Sequence, residues 1–331
     1  LHDALPISWE APPLTASAGG VSVTVFPELH AGYHAYHGTV GGNTDIYVQR
    51  AGVPPAFRIT TGAEEDSWPA WSPDGSQIAF QKLVGGKYHI YVATLEKDNY
   101  PQVLSEACIS DGLANDTAPT WRTADQIAFV SDRFQRSPGP GVPAVPDLEI
   151  CTMSSDGSNI AAFTDFYGAD LWPSWTPGGG EGARLTFSRD MGAPYGYEVF
   201  TAAADGSDVR RLTYSEGDDT HPSWSPDGQR ILFHSMRDGY AQAYTVNPDG
   251  TGQTRVLPTT GADTNPCWAP DGLKILVTGI LAGSGLQDLG WYALDTREYG
   301  YLGLDASFPE GAAWSWGYFA SETAEGRAAA V

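Results

Sequence analysis

Four things are scarce in this chain of 331 residues. Basic side chains number 18 against 40 acidic ones, for a net charge of −22. A phosphate backbone is repelled by such a surface, and so is an anionic bilayer, so neither nucleic acid nor acidic lipid is expected as a partner. Cysteine occurs three times, at Cys108, Cys151 and Cys267, in a spacing that fits no zinc site. One disulfide, between Cys108 and Cys151, is compatible with that count. No apolar run approaches the roughly 18 residues of a membrane-spanning helix, so no transmembrane segment is expected. Long stretches of Ala, Leu, Glu and Lys are missing until the last dozen residues, which argues against a helical core. What is plentiful is Gly (39), Pro (24) and aromatic residues (12%), the composition of many short strands joined by tight turns.

One spacing recurs. Five segments place an Asp five residues before a Trp and a Pro two before it: DSWPAW (66–71), DTAPTW (116–121), DLWPSW (170–175), DTHPSW (219–224) and DTNPCW (263–268). A degenerate sixth, PEGAAW (309–314), keeps the Trp alone. After the Trp comes a turn such as SPDG (72–75, 225–228) or APDG (269–272), in which Pro fixes one dihedral and Gly accepts positive φ. Apolar triplets follow (IAF 78–80, IAF 127–129, LTF 185–187, ILF 231–233, ILV 275–277), then a third strand, a second turn such as SDGS (155–158) and a fourth strand. Four strands per repeat, at intervals of 44 to 54 residues, predict one propeller blade each. The segments HAYHG (34–38), DIYVQR (45–50) and FRITTG (57–62) supply strands two to four of a blade whose first strand contains Trp314. The expected fold is therefore all-β: a six-bladed β-propeller, four antiparallel strands per blade, closed by one C-terminal strand plus three N-terminal ones. Residues 1–8 read as an adapter-like, non-native leader, 9–20 as an extension, 21–318 as the single propeller and 319–331 as a tail. A signal peptide or an upstream domain ahead of residue 9 is compatible with that reading.

The pattern D-x-x-P-x-W-[SAT]-P-D-G, followed by an apolar triplet, S-x-R, I-Y and D-G-S, resembles the TolB-like propeller repeat. That repeat, of WD-like type, also builds the propellers of prolyl oligopeptidase-type peptidases and of some pectin-fragment lyases. The resemblance covers about residues 20 to 318 and implies the fold strongly and the function weakly. TolB carries an α/β domain ahead of its blades, and the residues before the repeats here are too few to form one. Such peptidases append a hydrolase domain with a Ser in G-x-S-x-G, which AGSGL (282–286) does not match. The resemblance implies a secreted, periplasmic or cell-surface location.

Candidate site residues follow from strand polarity. Asp66, Asp116, Asp170, Asp219 and Asp263 begin the channel-lining strands and are expected to form an acidic ring at the channel mouth. Arg133, Arg189 and Arg237 reach the same face and are expected to pair with that ring, across to a neighbouring blade or in competition with backbone caps. The alternative is a cation, with Ca²⁺ the best match to several carboxylate oxygens, and otherwise no cofactor is expected. Three residues before each Trp the repeats differ: Trp68, Ala118, Trp172, His221, Asn265 and Gly311. Variation at a fixed position is what recognition requires, so Trp68, Trp172, His221 and Asn265 are the expected ligand- or partner-binding rim, with packing between loops as the bland reading. His30, His34 and His37 lie close in sequence, although in a strand the last two point to opposite faces, which weakens a metal reading. The Pro/Gly-rich insertion 133–147 is a candidate contact loop or a solvated excursion.

No nucleophile–base pair or phosphate cradle stands out, so no catalytic residue is assigned. The expected function is a non-enzymatic binding or scaffold propeller recognising a protein segment or a glycan at the channel face. Two alternatives stay open: a polysaccharide lyase or hydrolase, with channel Asp and His221 as acid–base groups, and a structural subunit of a larger surface or envelope assembly. Pectin-fragment lyases use several His on the channel face, whereas here His221 alone stands in the D-x-H-P position.

Overall fold

The computed structural model describes residues 14–18, 21–25, 33–40, 42–50, 53–96, 102–134, 148–166, 168–257, 263–269, 272–280, 287–301 and 314–315. Every element among them is a strand. Blade one is Asp66–Trp71, Gln77–Val84, Lys87–Leu95 and Val103–Cys108, hydrogen-bonded in that order. Blades two to five repeat the order, beginning at Asp116–Thr123, Asp170–Trp175, Asp219–Trp224 and Asp263–Trp268. All pairings are antiparallel, as short hairpin connections require.

Blade six closes the ring as expected. Trp314–Ser315 pairs with Tyr33–Val40, which is followed by Asn43–Arg50 and Val53–Arg58. Its register corrects one detail of the alignment. In the other blades the repeat Trp lies opposite the first residue of the apolar triplet: Trp71 opposite Ile78, Trp224 opposite Ile231. Trp314 instead lies opposite Tyr36, the slot that Phe80 fills in blade one, since Tyr36 faces Tyr47 as Phe80 faces Tyr91. The sixth copy is therefore two residues later in sequence, with Trp316 as its repeat Trp and Ala313, not Gly311, at its variable position. Residues 311, 313 and 316 lie outside the described ones. A separate hairpin, Leu14–Ala18 with Val21–Val25, pairs with no blade, and Tyr33–Val40 is the first strand in the chain that is hydrogen-bonded into one.

The core lies between blades. Trp71 packs with Ala35, Ile46 and Val48 of blade six and with Ile78, Phe80 and Ala93 of its own. Trp121 packs in the same way against Ala79, Ile90 and Val92 of blade one, and its indole N–H donates to the Ala70 carbonyl at 3.0 Å. Phe80, Phe129, Phe187 and Phe233, the last residues of their triplets, are fully buried. Each such side chain contributes about 1.5–3 kcal/mol relative to exposure, and each interface uses side chains from both neighbours. One blade alone would leave these faces wet.

The wheel has two unlike faces. First strands run from an entry face, which also carries the loops between strands two and three and between blades, to a turn face. On the turn face Asp74, Asp227, Asp156, Asp205 and Asp249 each accept a hydrogen bond from a Ser or Thr hydroxyl two residues away. Gly75, Gly228 and Gly272 close the first turn of their blades at φ of 67°, 67° and 69°, a region that disfavours any Cβ. Cys108 and Cys151 form no disulfide, which corrects that expectation: they sit on different blades, the first exposed and the second buried. Burial pushes the Cys151 thiol up to about 12.

Candidate functional site

The five first strands that begin with Asp share a bulge. Register breaks between Ser67 and Ala70, Thr117 and Thr120, Leu171 and Ser174, Thr220 and Ser223, and Thr264 and Cys267. In four of them the residue after the break adopts left-handed backbone: Trp68 at φ 54°, Ala118 at 48°, Trp172 at 53° and His221 at 54°. None is Gly, so each blade holds a conformation that costs a side-chain-bearing residue about 1 kcal/mol or more. The bulge turns this side chain out of the strand's alternation, and its amide reaches across to the preceding blade. Ala118 N donates to Gln81 Oε1 at 3.0 Å, and Trp68 N to His37 Nδ1 at 3.4 Å.

Turned this way, side chains from separate blades meet. The His221 ring stacks on Trp172 at 4.0 Å between centroids, and Trp68 lies on a stacked geometry at 6.0 Å. His234 of the neighbouring strand stacks on His221 at 5.2 Å, Tyr197 meets Trp172 edge-on at 5.6 Å, and His37 approaches Trp68 at 6.5 Å. Trp68, Trp172 and His221 are partly buried, each keeping a minor share of its surface open. Thr220 Oγ1 bridges the two imidazoles, 2.8 Å from His234 Nε2 and 3.1 Å from His221 Nδ1. Burial lowers both rings' affinity for a proton, His221 well below the usual histidine range and His234 to about 4, so both are neutral at pH 7. The variable rim thus forms a single aromatic cluster. The rings of Trp68, Trp172 and His221 pack on one another across three blades. The side chain of Asn265 lies outside the described residues.

The Asp ring is buried instead of open at a mouth. Asp66, Asp116, Asp170 and Asp219 are fully inaccessible, and the cation beside each comes from its own blade, not from a neighbour. Arg189 grips Asp170 with two bonds of 2.7 Å, Arg133 reaches Asp116 at 2.7 Å and Arg237 reaches Asp219 at 3.0 Å. Blade one differs. Lys82 stands 3.6 Å from Asp66 and also pairs with Glu106. Without a guanidinium fork, burial dominates and raises the Asp66 carboxyl to about 6, while Thr60 and Lys82 pull the other way. The side chain of Asp263 lies outside the described residues. Among the described residues, no group of three or more His, Cys, Asp or Glu is placed to hold a metal ion.

A second carboxylate set, not read from the sequence, sits two strands further out, on the third strands. Glu198 accepts from Thr213 and from Arg211 at 2.7 Å, and the same Thr hydroxyl accepts the Val199 amide at 2.9 Å. Glu149 with Thr164, and Asp45 with Thr60 and Arg58, repeat the device. The available signal was an acidic residue just before the third-strand triplet and a Thr ending the fourth strand. His34 has its side chain, and His30 its whole residue, outside the described ones, as are residues 135–147 of the insertion. On the entry-face loops the large apolar side chains Leu113, Phe134, Tyr195, Tyr214, Met236 and Tyr240 are exposed, whereas described turn-face loops expose Val209 and Leu273.

A family model described as the TolB β-propeller domain matches residues 144–302. Over those residues the chain matches the TolB β-propeller domain, and its fold is that of a β-propeller. Solved structures similar to this propeller include a protein assigned as TolB from Agrobacterium tumefaciens, at 19% identity and a TM-score of 0.61, covering 75% of this chain and 84% of that one. TolB from Acinetobacter baumannii aligns at 17% identity and 0.62, over 82% of this chain and 64% of that one. An oligogalacturonate lyase from Vibrio parahaemolyticus aligns at 17% and 0.58, over 88% and 83%. A curated relative, an uncharacterized protein of Agrobacterium fabrum, is 26% identical over 149 residues, 43% of this chain and 47% of that protein, so the match spans about half of that relative's length. TolB proteins and a lyase thus share this wheel, and at such identities the likeness establishes the fold alone. No helix among the described residues is long and apolar enough to cross a membrane.

Proposed function

We propose that this propeller is a non-enzymatic binding protein, working outside the cytoplasm, that takes up a protein segment on its entry face. The observation that carries this reading is the cluster of Trp68, Trp172 and His221: a position that varies between blades is bulged toward its counterparts and left partly open. Aromatic faces of this kind anchor a partner's side chain. The exposed apolar loops around the cluster extend the contact area, and the acidic chain favours a segment carrying both apolar and basic side chains. Panning a phage-displayed peptide library tests this. The expected peptides are rich in basic and apolar residues and lose at least about tenfold in affinity, roughly 1.4 kcal/mol, on Trp68→Ala/Trp172→Ala. Peptides that bind this variant as tightly as the parent would refute the proposal.

One observation favours a second reading, the polysaccharide lyase or hydrolase. His221 and His234 stack at 5.2 Å with Thr220 Oγ1 between them, and both are unprotonated at pH 7, the form a general base needs, although burial also makes each a weaker base. Turnover of oligogalacturonate that disappears in His221→Ala would make this the function. Binding without turnover leaves the first reading in place.

A further inference from the structure

Away from the aromatic cluster, blades four and five leave an open groove of about 920 Å³ between their outer strands, on the turn-face side. Leu257 and Tyr292, both buried, form its floor together with Val256 and Leu294. Three arginines line it: Arg230 from the turn before the second strand of blade four, Arg255 from its fourth strand, and Arg297 from a turn of blade five. This is a concentration of positive charge in a chain with only 18 basic residues and a net charge of −22.

Elsewhere the arginines are occupied. Arg58, Arg133, Arg184, Arg189, Arg211 and Arg237 each have a carboxylate within 3.0 Å. Arg255 is oriented by the Leu257 carbonyl at 3.0 Å and has Asp238 at 3.7 Å. Arg230 and Arg297 differ: both are exposed, and among the described residues neither forms an ion pair. Asp227 feels the charge of Arg230, but its oxygen is engaged by Ser225 Oγ at 2.6 Å and the Gln229 amide at 3.0 Å. Guanidinium groups left unpaired around an apolar floor form a receptor for planar anions, because their forked donors match carboxylate and phosphate oxygens. Asn247, Thr245 and Thr254 add neutral donors along the same wall. A volume of this order suits a small molecule.

We infer that this groove binds a small polyanion, a compact organic molecule with two or more carboxylate or phosphate groups. The assignment is independent of the aromatic cluster and of what that cluster binds. Isothermal titration of the full chain with citrate, with inorganic pyrophosphate and with neutral glucose tests it. Saturable one-site binding is expected for citrate or pyrophosphate and none for glucose, and the tighter of the two anions tells carboxylate from phosphate chemistry. Arg230→Gln/Arg297→Gln should weaken that binding at least tenfold while leaving the melting temperature in place, because both side chains are exposed. Lys87→Gln removes the same kind of charge on the opposite face and should leave binding unchanged. The inference is overturned if neither anion binds saturably, if the double variant binds like the parent, or if Lys87→Gln weakens binding equally.

Discussion

The turn face of the wheel is nearly the same in blade after blade, whereas the entry face changes from one blade to the next. Asp156, Asp205 and Asp249 occupy the same turn, each capped by its own Ser or Thr, and those hydrogen bonds hold each carboxyl below the usual range. On the entry face one bulged position is Trp, Ala, Trp and then His, and the loops around it expose Leu, Phe, Tyr or Met. Both faces must satisfy the same backbone. What repeats is explained by folding a blade. What varies, while keeping a strained backbone, needs another reason, and recognition supplies one.

The strongest way to sharpen that contrast is to remove a carboxylate on each side. Asp170→Ala strands Arg189 in the interior and should cost about 3–5 kcal/mol in urea unfolding. Asp205→Ala, on a fully solvated turn, should leave the midpoint almost unmoved. Equal losses would dissolve the distinction between a buried ring and a capped surface turn.

Next in size are two pH effects of opposite sign. His221 and His234 bind protons less readily folded than unfolded, so their contribution is present above about pH 6.5 and is lost as pH falls toward 4. Asp66 behaves the other way. Its folded value of about 6 exceeds the unfolded 3.8, so its contribution is full below 3.8 and is lost as pH rises through 6. Relative to the parent, His234→Gln should therefore gain stability on going from pH 7 to 4.5, and Asp66→Asn should gain, by about 1–2 kcal/mol, on going from pH 4 to 7. Parallel pH curves for parent and variants would contradict these assignments.

Smaller still is the strain at the bulge. Ala118→Gly removes the Cβ from a left-handed position and should raise stability by about 0.5–1 kcal/mol, whereas the same change in an ordinary strand lowers it. The smallest expected effect is that of Ca²⁺. The carboxylates of Asp116, Asp170 and Asp219 already hold guanidinium groups, so neither added Ca²⁺ nor a chelator should shift the melting temperature.

The blades were legible in the sequence because each carries the same Asp, Pro, Trp and Gly at the same spacing, and each of those residues does one local job. The sixth copy was misplaced by two residues because its Asp and Pro are gone and Trp314 and Trp316 flank one serine. Trp68, Trp172 and His221 stood out as differences within a repeat, but their convergence did not, since left-handed backbone at a non-Gly residue leaves no mark in composition. Lys82 escaped notice because its blade lacks the Ser-led Arg seen in SDR (131–133), SR (188–189) and SMR (235–237). The outer carboxylates were hidden by their changing identity: Asp45, Glu149 and Glu198 hold a slot that blade four fills with Gln242.

The central claim is that recognition belongs to the bulged cluster on the entry face. Affinity of one selected peptide, measured in parallel on Trp68→Ala/Trp172→Ala and on the turn-face pair Asp205→Ala/Asp249→Ala, tests it directly. The account predicts a loss of at least about tenfold on the first and none on the second, with both proteins folded. Equal affinity on the aromatic variant, or a loss confined to the turn-face variant, would contradict it.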